Sequence, residues 1–412
     1  MRILIIGTMY EPDLGPSAPL FSSLCRELVR SGHEVTVITT VPHYPTGRVA
    51  AAFQGRLIWR SIEDGVNVIR ISVPSVDRSK LSLRLLQYVS YQLGAAWVVM
   101  TGPRYDVVLA GSTSLTVLLP FVASVVVRRI PAIYSVQDLY PNVGITLGIF
   151  RNKLVIDIVA ALEKFIFKNS KIVQIISESF RQSLQDLGVP DSKVKLVYNW
   201  VDTEFIRPMP RLNEFSKEYG LDERFVILYS GNMGPSQGLE NILRAAERLK
   251  NEKDIIFVLI GDGLNKEFLV NEAKKRSLSN LLFLPFQPRE RFPYALASAD
   301  ISLVPLRRGI DQGSLPSKLF TVLASGRPVI VCVEEESEIW RLVKLADAGR
   351  QVPTDDPAAL SNAILALRND IKLREQLGCN GRLWAEQNHS ILIAEEKFEK
   401  LFLSAIQKRA KL

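Results

Sequence analysis

Cysteine and histidine are scarce in this chain of 412 residues, with three of each. Cys25, Cys332 and Cys379 are odd in number, far apart and without the spacing of metal ligands. Reduced thiols and a cytoplasmic setting follow as the expectation. His33, His43 and His389 are too few for most histidine-based metal sites. Long apolar runs are missing too. Leu115–Val127 is 13 residues with Pro120 inside it, against about 20 for a spanning helix. The apolar start at Met1–Gly7 stops in a Gly/Pro loop, too short for a signal peptide, which keeps the chain on the cytoplasmic side. No short repeat, low-complexity tract, aromatic–basic RNA module or recognition-helix pattern is present, so nucleic acid is not an expected partner.

What is present is a folding composition, 47% hydrophobic and 23% charged, in a chain long enough for two domains. The charge is uneven. Residues 1–200 hold 21 Lys+Arg against 14 Asp+Glu, and the rest hold 30 against 29. The same first half carries the most apolar segments, which points to peripheral contact with an anionic bilayer. Within it, Leu81–Met100 bears the stripe Leu81, Leu85, Tyr88, Val89, Leu93, Ala96, Trp97 and Met100 at helical spacing, with Arg78, Lys80 and Arg84 at its start. An ordinary core-facing helix and interfacial docking are both open readings. Leu115–Val127 reads as a buried core helix.

Apolar runs of the kind buried in parallel sheets alternate with helical patterns along the whole chain. They fall at Ile3–Ile6, Val35–Thr40, Val66–Val73, Val107–Ala110, Ala132–Val136 and Ile172–Ser177, then at Phe225–Tyr229, Ile255–Ile260, Leu281–Leu284, Ile301–Val304 and Pro328–Val333. Helices close the chain at Asp356–Asn369, Ile371–Gln387 and Ile391–Arg409. The rhythm predicts an α/β protein of two doubly wound Rossmann-like domains facing a cleft. The boundaries are residues 1–202, a linker over 203–223, a second domain over 224–390, and a last helix over 391–412.

Three strand-to-helix turns in the second half carry ligand-ready chemistry. Tyr229–Leu239 holds Gly231, Gly234 and Gly238, which let backbone N–H groups approach an anion at the following helix. Gly261-Asp262-Gly263 follows the next strand. Pro316-Ser317-Lys318 opens a third helix, with a hydroxyl and a cation aimed at a bound anion. Neither the dinucleotide fingerprint nor the P-loop spacing is matched. Together the three loops describe a nucleotide diphosphate site. In the first half, His43 sits in a Pro/Tyr loop after the second strand, and Asp138 follows the Ala132–Val136 strand, where it is a turn residue or an acceptor-orienting carboxylate.

With these residues in view the sequence resembles glycosyltransferase family 4. The likeness runs through Gly15, Gly32-His33-Glu34-Val35-Thr36-Val37, Asn199-Trp200-Val201-Asp202, Gly261-Asp262-Gly263 and Ala324-Ser325-Gly326-Arg327-Pro328-Val329. Pro42–Gly47, Gln137–Pro141 and Gly231–Gly238 look like the subgroup making capsule, O-antigen and colanic acid sugars, including N-acetyl-L-fucosamine transferases. The resemblance implies a GT-B fold, a UDP-sugar donor, no metal, retention at the anomeric carbon, and a polyprenyl-diphosphate-linked saccharide acceptor at the inner face of the cell membrane. It also implies that the last helix returns to the first domain. Donor contacts are expected at Gly15, Gly231, Asn232, Gln237, Gly261, Gly263, Phe286, Gln287, Ser317 and Lys318, and catalytic roles at Lys318, Asp138 and His43. The chain departs from the family pattern in three respects, one of them Gln137, which stands where the family commonly has a His beside an Asp. The usual Glu-x7-Glu pair would fall at Gly313 and Thr321, and the usual Arg and Lys are Asn232 and Gln237. Lys318 is the nearest replacement cation, with Arg307 and Arg308 behind it, and backbone groups around Gly313–Leu315 would take over sugar recognition. A UDP-sugar epimerase of the GT-B type is the second enzyme reading, against which the chain's poverty in cleft acids and histidines counts. A catalytically degenerate sugar-nucleotide-binding protein is the third, and a periplasmic-type ligand-binding protein would need a signal peptide.

Overall fold

The computed structural model describes residues 1–407 except 14, 16, 45, 78–80, 113, 141–144, 146–151 and 311–313, with 81 and 82 described in backbone only. Arg78, Lys80, Gly313 and the expected end of the last helix at Lys408 and Arg409 lie outside the described residues. Two compact units form. One is Met1–Asn199 with the last helix, Ile391–Gln407, and the other is Trp200–Ser390.

The first unit is a sheet of eight strands: β1 (Arg2–Ile6), β2 (Glu34–Thr40), β3 (Ile58–Glu63), β4 (Val66–Ile71), β5 (Val107–Gly111), β6 (Ala132–Val136), β7 (Ile172–Ile175) and β8 (Val194–Leu196). Their order is β3-β4-β2-β1-β5-β6-β7-β8, and only the β3–β4 pair is antiparallel. Ile3, Leu4, Ile5 and Ile6 are all buried, as expected of a strand covered by helices on both faces. The last helix lies against helix Ala18–Arg30 and buries Ala394, Phe398, Phe402 and Ala405 there.

The second unit is a six-stranded parallel sheet of β9 (Phe225–Ser230), β10 (Ile255–Ile260), β11 (Leu281–Leu284), β12 (Ile301–Pro305), β13 (Val329–Cys332) and β14 (Gly349–Val352), in the order β11-β10-β9-β12-β13-β14. The stretch after Trp200, read as a linker, is fastened to this unit. The Arg211 guanidinium pairs with Asp300 at 2.9 Å and Arg382 donates to the carbonyls of Thr203 and Ile206 at 3.0 and 2.7 Å. Each sheet reverses its winding once, between β1 and β5 and between β9 and β12. The carboxyl ends of those strands are where open α/β sheets take ligands.

Two helical segments differ from expectation. Helix Leu81–Thr101 turns Tyr91, Ala95, Val98 and Val99 inward, while Leu85, Val89, Leu93, Trp97 and Met100 of the apolar stripe face outward. Gln87 and Gln92 are buried. Gln87 Nε2 donates to the carbonyl of Pro74 at 2.8 Å, and Gln92 bonds both the Leu115 carbonyl and the Leu119 amide at 3.0 Å. The core-facing reading of the stripe is therefore corrected. Leu115–Val127 splits into helix Ser114–Phe121 and a wider π-turn over Val122–Val127 just past Pro120, with Leu119, Val126 and Val127 exposed rather than in the core.

Candidate active site

Glycine sets the geometry at the carboxyl ends of β9 and β10. Gly261 has φ 148°, and a Cβ there would lie 1.9 Å from the Gly231 carbonyl oxygen. At Gly263, φ 152°, a Cβ would come within 2.7 Å of the Met233 backbone. The two loops are thus packed backbone on backbone, an approach only glycine permits. Their amides are taken up by this packing. Gly231 N donates to Ile260 at 2.9 Å, Met233 N to Asp262 at 2.7 Å, and Gly261 N to Leu284 at 3.0 Å. Gly263 N bonds the Asp262 carboxylate at 2.8 Å, and Gln237 N bonds the Gly234 carbonyl at 3.2 Å. The loop is also tied to the end of β12, where Arg307 N donates to Ser236 at 2.9 Å. Where the sequence reading expects amides open to a ligand, those of Gly231, Gly261 and Gly263 already have partners within the protein.

The charge at this site comes from Lys318, first residue of helix Lys318–Ala324. Its ammonium reaches the end of β9, donating to the Tyr229 hydroxyl at 2.8 Å and to Gln237 Oε1 at 2.5 Å. It lies 4.2 Å from the centre of the Tyr229 ring, a cation–π contact. A Cβ on Gly231 would stand 3.2 Å from Nζ, so the charge faces the bare backbone of that loop. Among the described residues no carboxylate pairs with it. Burial pushes its pKa down to about 7, because a desolvated cation with neutral partners is disfavoured. An anion arriving beside it reverses that penalty. The two expected reserves differ: Arg307 is exposed, and Arg308 is paired with Glu334 at 3.2 Å. Ser317 leaves its hydroxyl out of helix capping. Asn232 gives its carbonyl to the Tyr229 hydroxyl at 2.6 Å. Phe286 and Gln287 are half-buried just past β11, at the same end of the sheet.

Gly15, His43 and Asp138 belong to the first unit. A Cβ on Gly15 would fall 2.1 Å from Met9 Sδ, so the loop after β1 closes only over glycine. His43 is buried, its Nδ1 3.0 Å from the Val41 carbonyl and 3.5 Å from Asp13 Oδ2. Asp138 is half-buried beside Tyr140, whose hydroxyl pKa is raised first by burial and then by the Asp138 charge.

Comparison with known proteins settles what this scaffold is. Residues 213–384 match the family described as glycosyl transferases group 1, and residues 17–200 match the glycosyl transferase 4-like domain. The chain is a glycosyltransferase. It is 28% identical over 352 residues to the Escherichia coli K12 protein named as the colanic acid biosynthesis glycosyl transferase WcaI, covering 83% of this chain and 86% of that one. It is 27% identical over 334 residues to the glycosyltransferase WbjE of Pseudomonas aeruginosa, covering 79% and 81%. Among solved structures, Anabaena HepE in complex with UDP and glucose superposes with a TM-score of 0.75 at 15% identity, over 98% of this chain and all of that one. The fold is GT-B.

Two residues of this glycosyltransferase escaped the sequence reading. Asp13, with its side chain 1% exposed, accepts the amides of Gly15, His43 and Tyr44 at 3.1, 3.1 and 3.4 Å and so joins the loops after β1 and β2. Nothing distinguishes it in sequence from a turn aspartate. Glu163, buried on helix Lys153–Asn169, accepts the Ser114 amide at 2.9 Å and the Tyr134 hydroxyl at 3.0 Å, and burial raises its pKa. In sequence it passes for a solvated charge of an amphipathic helix.

Proposed function

We propose that this glycosyltransferase moves a sugar, of the N-acetylated deoxyhexose class, from a UDP-sugar to a polyprenyl-diphosphate-linked saccharide at the inner face of the membrane, with retention and without a metal. The observation that carries this reading is the Lys318 ammonium, held by two neutral oxygens beside the Gly231 loop. As the glycosidic bond breaks, negative charge grows on the departing diphosphate, and a cation already in place stabilises it without reorganising. Because several loop amides serve the scaffold, that cation carries more of the stabilisation than the loops do. His43 and Asp138 are proposed for the acceptor side, His43 held by Asp13. UDP as the nucleotide is supported by the HepE complexes with UDP, and the polysaccharide setting by the name of the E. coli relative. In a thermal-shift series with UDP-, GDP- and dTDP-sugars, UDP-sugars should raise the melting temperature and the others should not, by mass action on the folded state. A response to GDP- or dTDP-sugars alone would overturn the nucleotide assignment.

Membrane contact is proposed at the helical layer of the first unit. No helix among the described residues is long and apolar enough to cross a membrane. Helices Leu81–Thr101, Ser114–Phe121 and Lys153–Asn169 pack side by side, and their outer faces carry Leu93 at 59%, Trp97 at 65% and Leu154 at 67% exposure. Exposed apolar side chains grouped on one helical layer favour an interaction surface there. Exposed Lys153, Lys164 and Lys168 accompany it on the third helix. Flotation with anionic liposomes should carry the protein upward at low salt and less at high salt. Replacing Leu93 and Trp97 by Ser should weaken flotation at least tenfold, and unaltered flotation of that variant would remove the helix from the proposal.

A further inference from the structure

Three side chains of the first unit meet at the edge of the sheet opposite the strand ends described above. His33 stands in the turn between helix Ala18–Arg30 and β2. Glu395 and Glu399 are one turn apart on helix Ile391–Gln407, on the same side of it. His33 Nε2 is 3.3 Å from Glu399 Oε1, and one ligand atom from each of the three residues lies within 4.8 Å of the others. The other ring nitrogen, Nδ1, accepts from the Met1 amino group at 3.3 Å, so binding an ion through Nε2 reverses that contact, with Nδ1–H donating to the uncharged amine as a proton is released.

The polar atoms here are not satisfied by the protein. Glu395 is only 9% exposed, and its Oε1 is buried with no hydrogen-bond partner among the described residues. His33 Nε2 is likewise buried without a hydrogen bond. A buried carboxylate oxygen without a donor is disfavoured, and a second carboxylate one helical turn away adds repulsion. Both call for a cation. One imidazole nitrogen and two carboxylates form a donor set suited to zinc, with a fourth position for water. Around such an ion, ligand atoms stand roughly 3.4 Å apart, close to the His33–Glu399 separation.

We propose that His33, Glu395 and Glu399 bind a divalent cation of the zinc class, which fastens the last helix to the first unit. The site is structural, separate from the sugar-transfer chemistry, and it makes the hold on that helix depend on metal supply.

The test uses the full-length protein stripped of metal by chelator and titrated with Zn²⁺ alone. One equivalent should bind per chain. At a hundredfold excess over the dissociation constant, the melting transition of the first unit should rise by about 5–10 °C and fall back on adding EDTA. His33→Gln and Glu395→Gln should abolish both the binding and the shift. Glu399→Gln, at a half-exposed helix position that tolerates the amide, should weaken binding at least tenfold even if the Glu395 variant folds poorly. Absence of stoichiometric zinc would overturn the proposal. So would an equal shift in wild type and all three variants, which would place the metal elsewhere.

Discussion

Lys318→Met is expected to lower turnover about a hundredfold while raising the melting temperature of the second unit. The rate effect follows from removing a positioned charge from the leaving diphosphate, worth on the order of 3 kcal/mol in the transition state. The stability effect has the opposite sign because the unliganded protein holds that cation where solvent is largely excluded. Its pKa is about 7 in the folded state against 10.5 for the ordinary lysine. Between those values the unfolded chain binds more protons, so the native state gains stability as pH rises through this window. At pH 7 and below the penalty is present in full, and Met removes it together with the contacts to Tyr229 and Gln237. A net gain on the order of 1 kcal/mol, roughly 2–4 °C, is expected. UDP should bind wild type with uptake of a proton above pH 7, its affinity falling as pH rises from 7 to 9, and the variant should lose that slope. Calorimetry in two buffers of different ionisation enthalpy reads the proton directly. Lys318→Arg should keep part of the activity, since the charge survives in altered geometry. A methionine variant with turnover within a few-fold of wild type would sink the assignment and move attention to Arg307.

The second large effect is expected at Gly261. Alanine there must adopt φ near 148° and place its Cβ 1.9 Å from the Gly231 oxygen. The strain and the overlap together should cost about 3 kcal/mol or more. The contact being broken is the one that aligns the loops after β9 and β10, so the UDP-induced thermal shift should vanish as well. Gly220→Ala is the matched control. Its φ is 63° and a Cβ would meet nothing within 4 Å, so it should cost about 1 kcal/mol and leave the UDP response intact. If the two variants melt alike, the interpretation of the loops as backbone-packed is wrong.

What the sequence shows of this fold depends on burial. Central strands such as β1, β5, β9 and β10 are covered on both faces and read as unbroken apolar runs. Three of the four edge strands escape, β11 with its Leu-Leu-Phe-Leu being the exception. β3, Ile-Trp-Arg-Ser-Ile-Glu, leaves Ile62 exposed, while β8 is three residues long and β14 reads Gly-Arg-Gln-Val. None buries enough to leave a hydrophobic signature. Helical periodicity is ambiguous in another way. It groups Leu85, Val89, Leu93 and Trp97 on one face but is silent on which way that face points. The decision rests with Gln87 and Gln92, whose amides satisfy carbonyls of the Gly47, Pro74 and Leu115 turns, a partnership no local pattern encodes. At the site, Lys318 was legible because Pro-Ser-Lys opens a helix after a strand. Its contact with Gln237, 81 residues away, and the Asp13 bridge between two loops exist only once the sheet is assembled.

The return of the last helix to the first unit has a bearing on how the protein is made. Residues 1–199 leave the ribosome long before Ile391–Gln407 does, yet that helix supplies Phe398 and Phe402, both fully buried, to the unit those residues form. Synthesis runs at about 5–20 residues per second, so the nascent first unit waits roughly ten seconds or more with the groove beside helix Ala18–Arg30 open. Throughout that interval it is the better target for chaperones, and a chain that stops at Ser390 has a whole second unit and a first unit that never closes.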